Sequence, residues 1–559
     1  MKTNRMWSKR SFLCFSCLIV SELWLCVQGE LFTAISDVEP LLETHKKIID
    51  DLQEYIGKEE TRLHVLKKHL NMYQVEHVKA MEDIPNYLGN PINAFTLIKR
   101  LTTDLDYIEE SIKKGTEYIK NITMNHEGVK YPTLEDLSGA AQALTRLQGT
   151  YHLEVNDLSE GKLNGVIYST PMTAGDCYEL GRTLYNEKDY KNALSWMMEA
   201  LRKFKEENEL YSFNEADILE YIGFSHYLLG DTRTAMEWTK KLLEIDPQHP
   251  RAGGNIPHYQ KTIAEEEERL KRRRRGETGE EETQPKSAAE AWSLPEPERQ
   301  SYEALCRGEI DVPAEIAKRL KCRYLTENHP FLRLAPIKME QMYIKPDIVV
   351  FHEVLSDEEI EHVKELSKPR FRRATVHDPK TGALIPAHYR ISKSAWLRDE
   401  ESPIVARISR RVADFTGLSM DTAEELQVVN YGIGGHYEPH YDFARKHERA
   451  FGKDNGNRIA TVLFYMSDVA QGGATVFTEL GLSVFPVARA AAFWMNLHPS
   501  GEGDFATRHA ACPVLRGSKW VCNKWIHQGG QELLKPCNLE YQQEGIIRQI
   551  PKPVPKSFR

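Results

Sequence analysis

The sequence predicts a multidomain chain with an α-helical N-terminal association region, an α-helical tetratricopeptide-like domain and a C-terminal β-sandwich or jelly roll. Three observations carry this prediction. Apolar residues recur at seven-residue steps near the start, a helix-pair signature is stated twice between Thr173 and Asp246, and short apolar runs alternate with Gly and Pro after about residue 340. With 559 residues, 41% of them apolar and 28% charged, the chain can build several cores, which excludes disorder throughout. The net formal charge of −9 gives no global basic field, so no nucleic-acid partner is expected.

Residues 1–29 read as a secretory signal peptide. Lys2, Arg5, Lys9 and Arg10 precede an apolar stretch from Ser11 to Val27, and Val27-Gln28-Gly29 offers small-residue chemistry for cleavage before Glu30. A membrane anchor is the alternative reading; Glu22 interrupts the stretch and its length is marginal for spanning. No later run approaches spanning length, so no membrane span is expected. Of nine cysteines, Cys14, Cys17 and Cys26 belong to this segment, leaving Cys177, Cys306, Cys322, Cys512, Cys522 and Cys537. Six cysteines in an oxidising compartment allow fifteen pairings, and the residues alone choose none of them. Asn121-Ile122-Thr123 is a glycosylation sequon that suits a lumenal chain.

Residues 30–155 read as a helical association domain. From Val38 to Leu70 the apolar positions follow helical steps, with Ile56, Leu63 and Leu70 seven apart and Leu52 and Leu66 on the neighbouring line. Glu59 interrupts that second line. A helix in a bundle and a self-association seam both remain open on this pattern.

Residues 160–255 read as a tetratricopeptide-like, peptide-binding domain. Leu180, Gly181, Leu184, Ala193 and Ala200 fall at the offsets of a helix pair, and Gly223, Tyr227, Ala235, Leu242 and Pro247 restate them. Small residues are needed where the helices cross closely. Ala193 and Ala235 are 42 residues apart, against a standard period of about 34, so the connection between pairs carries extra residues. Tyr221, Phe224 and Tyr227 form a ridge on one helix, with Tyr185 and Tyr190 on the first pair. Such rings serve either a core or an aromatic groove, and a groove suits polyproline II ligands because they arrive preformed.

Residues 256–300 read as a charged linker, since Glu265 to Glu282 is a charge block containing Lys271-Arg272-Arg273-Arg274-Arg275. Residues 301–540 form the β-rich domain, followed by a tail at 541–559. Its strand-like runs are Leu426 to Tyr431, Ile459 to Tyr465, Leu482 to Val487, Ala491 to Leu497 and Lys519 to Trp525. Two helices are expected to flank them. Ser356 and Glu359 have the form of a capping box before Ile360, Val363 and Leu366, and Ile404 to Phe415 is the second stretch.

Chemistry centres on His440-Tyr441-Asp442. On a strand, residues two apart point to the same face, so this triplet can offer an imidazole and a carboxylate to one metal. It follows the glycine turn in Tyr431-Gly432-Ile433-Gly434-Gly435, and His509 stands 69 residues beyond His440 as a third donor. Two histidines and one carboxylate on three corners leave open positions on a non-haem Fe(II) centre. Ten residues beyond His509, Lys519 opens the run Trp520-Val521. A buried cation needs a partner, and on an adjoining strand Lys519 could hold the distal carboxylate of a co-substrate.

On these residues the chain resembles the collagen prolyl 4-hydroxylase α subunits, which are 2-oxoglutarate and Fe(II) dependent dioxygenases. The resemblance is carried by Arg373-Ala374-Thr375-Val376, Tyr389 to Leu397 (YRISKSAWL), Ala423 to Val428 (AEELQV), Gly435 to Arg445 (GHYEPHYDFAR) and Thr507 to Leu515 (TRHAACPVL). It implies a double-stranded β-helix (jelly-roll) catalytic domain, with His440, Asp442 and His509 as iron ligands and Lys519 anchoring 2-oxoglutarate. It further implies His527 near the other carboxylate of the co-substrate, and Tyr431 and Thr475 in the pocket. The implied reaction hydroxylates proline at C4 in X-Pro-Gly repeats of procollagen, consuming O2 and 2-oxoglutarate, with L-ascorbate sustaining the iron.

The same resemblance assigns proline-rich peptide to the groove of Tyr185, Tyr190, Tyr221, Phe224 and Tyr227, and pairs Cys306 with Cys322 and Cys512 with Cys537. It implies an endoplasmic reticulum location and an α2β2 assembly with protein disulfide isomerase as β subunit, which carries the retention signal that Pro555-Lys556-Ser557-Phe558-Arg559 does not match. Three departures stand out. Val487-Ala488-Arg489 replaces two lysines and a glycine, Cys522 is an additional thiol, and Phe224 replaces a tyrosine of the groove. The other class compatible with the sequence is a non-catalytic subunit that keeps only the peptide groove.

Overall fold

A computed structural model describes residues 35–113, 134–274, 294–377, 384–386, 389–432, 434–446, 448 and 455–538. The signal-peptide reading, Asn121 and the tail at 541–559 lie outside the described residues. The chain forms two compact units. Of the described residues, those up to 74 and from 111 to 113 fall in one, and those from 75 to 110 and from 134 onward in the other. Among the described residues no helix is long and apolar enough to cross a membrane.

The first helix, α1 (Ile35–Glu82), is longer than the apolar period that predicts it. Ile56, Leu63 and Leu70, the seven-residue line, are about half exposed in the single chain. Three helices follow, α2 (Ile84–Leu88), α3 (Pro91–Arg100) and α4 (Thr103–Lys113). Asp83 and Asn90 cap the first two of these, and each is followed by a proline in the first turn, where the missing N–H costs nothing. Helix α5 (Leu134–Tyr151) then leads to the tetratricopeptide-like pairs.

Those pairs are α6 (Ala174–Asn186) with α7 (Tyr190–Glu206), and α8 (Glu215–Leu228) with α9 (Thr232–Ile245). Thr173 and Asn214 start α6 and α8 with full capping boxes to Asp176 and Asp217. The small residues act at the crossings: a Cβ on Gly181 would stand 3.0 Å from the Met197 side chain, and one on Gly223 3.0 Å from Thr239 Oγ1. The extra residues between pairs are the connection from Glu207 to Asn214.

Residues 256–274, expected as the start of the linker, are helical. Helix α10 (Ala252–Arg274) continues the stack, burying Ala252 and Tyr259. Ala252, Ile256, Tyr259 and Ile263 recur at helical spacing, and the adjoining charge block conceals that period. Helix α11 (Glu296–Cys306) then leads into the β-domain.

The β-domain places fourteen strands of interest, introduced here by range. They are β1 (Cys322–Leu325), β2 (Ile337–Tyr343), β3 (Ile348–His352), β4 (Arg372–Arg373), β5 (Lys393–Leu397), β6 (Leu426–Tyr431), β7 (Tyr437–His440) and β8 (Arg458–Tyr465). The others are β9 (Thr475–Phe477), β10 (Leu482–Val484), β11 (Ala491–Met495), β12 (His509–Ala511), β13 (Val514–Arg516) and β14 (Lys519–His527). Nine form one antiparallel sheet in the order β1-β2-β3-β11-β8-β14-β6-β5-β4. Four form a second antiparallel sheet, β7-β12-β9-β10.

Val350, Val429, Tyr431, Leu463 and Val521 of the large sheet meet Phe477, Leu482, Val484 and Ala511 of the small one, which makes a two-layer sandwich. The other face of the large sheet is covered by α12 (Asp357–Ser367) and α13 (Pro403–Thr416), whose Ile360, Val363, Val405, Ile408 and Val412 are buried there. The expected capping box at Ser356 and Glu359 forms, and the Glu359 carboxylate also takes a bidentate contact from Arg411 of α13.

The disulfide pairing implied by resemblance is corrected. Cys306 is bonded to Cys512, while Cys322 and Cys537 are free and exposed. The reason is packing: Tyr302, Leu305 and Cys306 of α11 sit on Ala474, Val476, Ala510 and Cys512 of the small sheet. Cys322 instead opens the edge strand β1. Cys522 is a buried core thiol behind the large sheet. Arg489, in the turn before β11, adopts φ +71°, the left-handed region that suits glycine.

Candidate active site

The small sheet gathers the three metal-ligand candidates. β7 and β12 pair in a register that sets His440 opposite His509, with ring centroids 4.4 Å apart. Asp442, two residues past His440, brings Oδ1 to 3.8 Å from His440 Nε2 and Oδ2 to 3.6 Å from His509 Nε2. Donor atoms of the three residues lie within 4.8 Å of one another.

Their orientation is fixed from behind. His440 Nδ1 lies 2.7 Å from the Glu438 carbonyl and His509 Nδ1 3.0 Å from the Thr507 carbonyl, so each ring donates there and turns its Nε2 lone pair inward. Thr461 Oγ1 donates to Asp442 Oδ2 at 2.7 Å, and Asn496 Nδ2 donates to Thr461 Oγ1 at 2.9 Å. Burial, with the neighbouring His509, lowers the His440 imidazole to about 3, so it is neutral near pH 7. Burial pushes the Asp442 carboxyl upward, but His509, His440, Arg458 and the Thr461 hydroxyl outweigh it and hold the group at about 2. Two imidazole Nε2 atoms turned inward and an ionised carboxylate converging on one point are the donor set that Fe(II) takes.

The cluster opens into a pocket that Tyr431, Thr475 and Lys519 also line. Lys519 is 1% exposed, and no carboxylate among the described residues lies within ion-pair distance of it. Burial lowers its ammonium to about 7. Thr475 Oγ1 accepts from the Tyr465 hydroxyl at 2.9 Å, which leaves its own proton for a further acceptor. The pocket is therefore lined by a metal-binding cluster, a cation and a hydroxyl donor, which suits a small dicarboxylate.

Comparison with known proteins bears on this arrangement. The model for the prolyl 4-hydroxylase α-subunit N-terminal region matches residues 34–165, that for the prolyl 4-hydroxylase peptide-substrate-binding domain matches residues 174–265, and that for the 2OG-Fe(II) oxygenase superfamily matches residues 426–527. Prolyl 4-hydroxylase subunit alpha-1 of Rattus norvegicus is 48% identical over 516 residues, covering 91% of this chain and 95% of that protein. The chain belongs to the prolyl 4-hydroxylase α-subunit family. The alpha-1 subunit of Homo sapiens is 47% identical, covering 91% of this chain and 95% of that protein. The alpha-2 subunit of Caenorhabditis elegans is 46% identical, covering 95% and 98%.

In this prolyl 4-hydroxylase family chain His527 does not line the pocket. It lies on the same strand as Lys519, at the far end of β14, where Nδ1 is 2.9 Å from the Gly456 carbonyl and Nε2 3.0 Å from Glu424. Arg458 grips the same Glu424 carboxylate with Nε and Nη2. Two residues that the pattern reading passes over belong to the pocket. Tyr437 stacks on His440 with centroids 3.5 Å apart, and the Arg390 guanidinium lies 4.9 Å from the Tyr437 ring. The bulge between Tyr437 and His440 brings residues three apart side by side, which strict alternation would not do.

The five groove candidates form two ring groups, all half-buried. Tyr185 meets Tyr190 at 5.4 Å and Tyr221 at 5.0 Å, while Phe224 meets Tyr227 at 5.6 Å. Tyr221 packs on the edge of the core that Ile218, Leu219 and Ile222 of α8 fill, Tyr185 on the edge of the core that contains Leu180 and Leu184, and Tyr227 meets the buried Tyr259 at 5.0 Å.

Proposed function

We propose that this chain is the catalytic α subunit of a collagen prolyl 4-hydroxylase, hydroxylating C4 of proline in X-Pro-Gly repeats of procollagen with oxidative decarboxylation of 2-oxoglutarate. The observation that carries the reading is Lys519, a buried ammonium without a carboxylate partner among the described residues, in the same pocket as the His440, Asp442 and His509 donors. A buried cation so placed calls for an anionic ligand.

In this reading His440, Asp442 and His509 hold Fe(II), and Lys519, Thr475 and Tyr431 orient the distal carboxylate of 2-oxoglutarate. Fe(II) with bound 2-oxoglutarate and O2 supplies the oxidant for the proline C–H bond, leaving succinate and CO2, with L-ascorbate as accessory reductant. The chain excludes water, since Asp442, His509 and Lys519 are all buried. Thr461 and Asn496 hold the Asp442 carboxylate, and Tyr437 fixes the plane of His440. His527 and Arg458 both hold Glu424, and Arg458 Nη1 donates to the Asp442 carbonyl at 3.4 Å.

The proposed setting is the endoplasmic reticulum lumen, with residues 1–29 as signal peptide, Asn121 glycosylated and protein disulfide isomerase as β subunit in an α2β2 assembly. The half-exposed Ile56, Leu63 and Leu70 line supports association through α1. The half-buried rings of Tyr185, Tyr190, Tyr221, Phe224 and Tyr227 support proline-rich peptide binding.

The test is 2-oxoglutarate-dependent formation of 4-hydroxyproline in a Pro-Pro-Gly repeat by the chain coexpressed with protein disulfide isomerase. Peptide binding without hydroxylation would instead identify a non-catalytic binding subunit.

A further inference from the structure

Helix α5 has two sets of neighbours. Its Leu137, Leu144 and Leu147 share a core with Leu180 and Leu184 of α6. Ser138 and Gln142 donate to the Glu187 carboxylate, at the C-cap of α6, at 2.6 and 3.0 Å. Helix α6 carries Tyr185, whose ring meets Tyr190 and Tyr221.

On its other side α5 touches both segments that lead to the metal-ligand candidates. Arg146 Nη1 donates to the Gly434 carbonyl at 2.8 Å, and the Tyr151 hydroxyl donates to the Pro513 carbonyl at 2.6 Å. Gly434 precedes His440 by six residues and Pro513 follows His509 by four. The two segments are tied to each other, since Gly434 N donates to Val514 O at 3.1 Å and Val514 N to Gly435 O at 3.2 Å. The fit is close: a Cβ on Gly434 would stand 2.9 Å from the Ala143 carbonyl oxygen, and one on Gly472 2.6 Å from the Tyr151 hydroxyl. Neither the ring groups nor the pocket uses any of these contacts.

We infer that α5 is the strut that sets the peptide groove at a fixed span from the metal pocket, with Arg146 as a positioning residue for substrates long enough to reach both. The inference rests on the proposed function. A chain held in the groove presents its further prolines to the pocket intramolecularly, at an effective concentration that depends on how well the span is defined. Loosening the strut lowers that concentration and changes neither site. A short peptide, which cannot reach both, does not sense it. If α5 were filler alone, Arg146 truncation would lower stability and act on all substrates alike.

The test uses the full chain coexpressed with protein disulfide isomerase, comparing a single Pro-Pro-Gly unit with a long Pro-Pro-Gly repeat. In Arg146→Ala the KM for the long repeat should rise about tenfold toward that of the short peptide, the scale on which linked sites gain avidity. The short-peptide KM and kcat, the KM for 2-oxoglutarate, and calorimetric binding of a proline-rich peptide that cannot be hydroxylated should stay unchanged. Arg146→Lys, which keeps a donor for Gly434, should recover part of the effect, and Tyr151→Phe should shift the same ratio in the same direction. An unchanged long-to-short ratio in folded Arg146→Ala, or an equal loss on both peptides, overturns the strut. Should Arg146→Ala melt below the assay temperature, Arg146→Lys and Tyr151→Phe decide by the same ratio. Absence of hydroxylation by the unsubstituted chain would remove the proposed function itself, a different outcome from a flat ratio in an active enzyme.

Discussion

Lys519 and Tyr431 are directly paired across β14 and β6, and the Lys519 ammonium lies 5.2 Å from the centre of the Tyr431 ring. The ring faces the cation but cannot neutralise it. A carboxylate entering the pocket can.

Lys519→Ala should therefore raise the 2-oxoglutarate requirement far more than the peptide requirement, by the equivalent of about 1.5–3 kcal/mol for a lost charge-assisted contact. Lys519→Arg should restore part of it, because a planar fork differs from a compact ammonium. Titrating co-substrate and peptide separately reads the split; equal co-substrate dependence in Lys519→Ala and the parent chain would remove the anchor.

The same residue sets a pH dependence. Burial lowers its ammonium to about 7, and a bound carboxylate raises it again. Binding thus takes up a proton above about pH 7, so 2-oxoglutarate affinity should be level below that point and weaken by up to about tenfold per pH unit above it. Calorimetry in buffers of different ionisation enthalpy measures the proton uptake. In Lys519→Arg, whose charge does not titrate in this range, the uptake should vanish.

Removing the support of Asp442 should weaken metal binding without removing a ligand candidate. Thr461→Val deletes the hydroxyl that holds Oδ2 and keeps the volume, and outer partners of this kind are worth about 10–100-fold in metal affinity. Competition with a chelator gives the affinity directly. His440→Ala, Asp442→Ala and His509→Ala should each abolish both stoichiometric Fe(II) binding and turnover, with proline-rich peptide binding retained.

Tyr221→Ala and Tyr227→Ala should each weaken binding of a proline-rich peptide to the full chain while the far-ultraviolet spectrum holds and the melting temperature falls only modestly, because both rings are half-buried and Ile218, Leu219 and Ile222 fill the core that Tyr221 edges. Loss of folding in these variants would make the rings structural.

Arg489→Gly should raise the melting temperature modestly. A left-handed φ costs a non-glycine residue about 1–2 kcal/mol, offset in part by the greater backbone freedom of glycine in the unfolded chain, about 0.5–1 kcal/mol. The Arg489 Nε bond to the Leu355 carbonyl at 3.2 Å is half-exposed and returns little of this. The KM for 2-oxoglutarate should not move, since Arg489 is outside the pocket; a shifted KM at constant stability would contradict that placement.

What could be read in the sequence follows the range of the physics involved. His440 and Asp442 are legible because residues two apart on a strand share a face, and the capping box at Ser356 because it spans a single helical turn. Tyr437 is hidden by a bulge, and bulges have no reliable signature in a single sequence. Arg390 meets Tyr437 across an isolated antiparallel bridge between segments distant in sequence, which no local pattern reveals. Helix α10 is masked by its own charges. The cysteine pairing depends on where α11 lies on the small sheet, across a separation of 206 residues, which no spacing argument reaches.

That one bond makes the catalytic half of the molecule a covalent ring, closed from Cys306 to Cys512 and containing His440, Asp442 and His509. A protease that nicks the chain anywhere inside the ring leaves two fragments still joined. On a denaturing gel they migrate as one species and part only when dithiothreitol is added. Bonds between Cys306 and Cys322 and between Cys512 and Cys537 would instead let the same nick, made midway through the domain, release two pieces without reductant. Electrophoresis of a lightly digested sample, run with and without thiol, therefore distinguishes the two linkages.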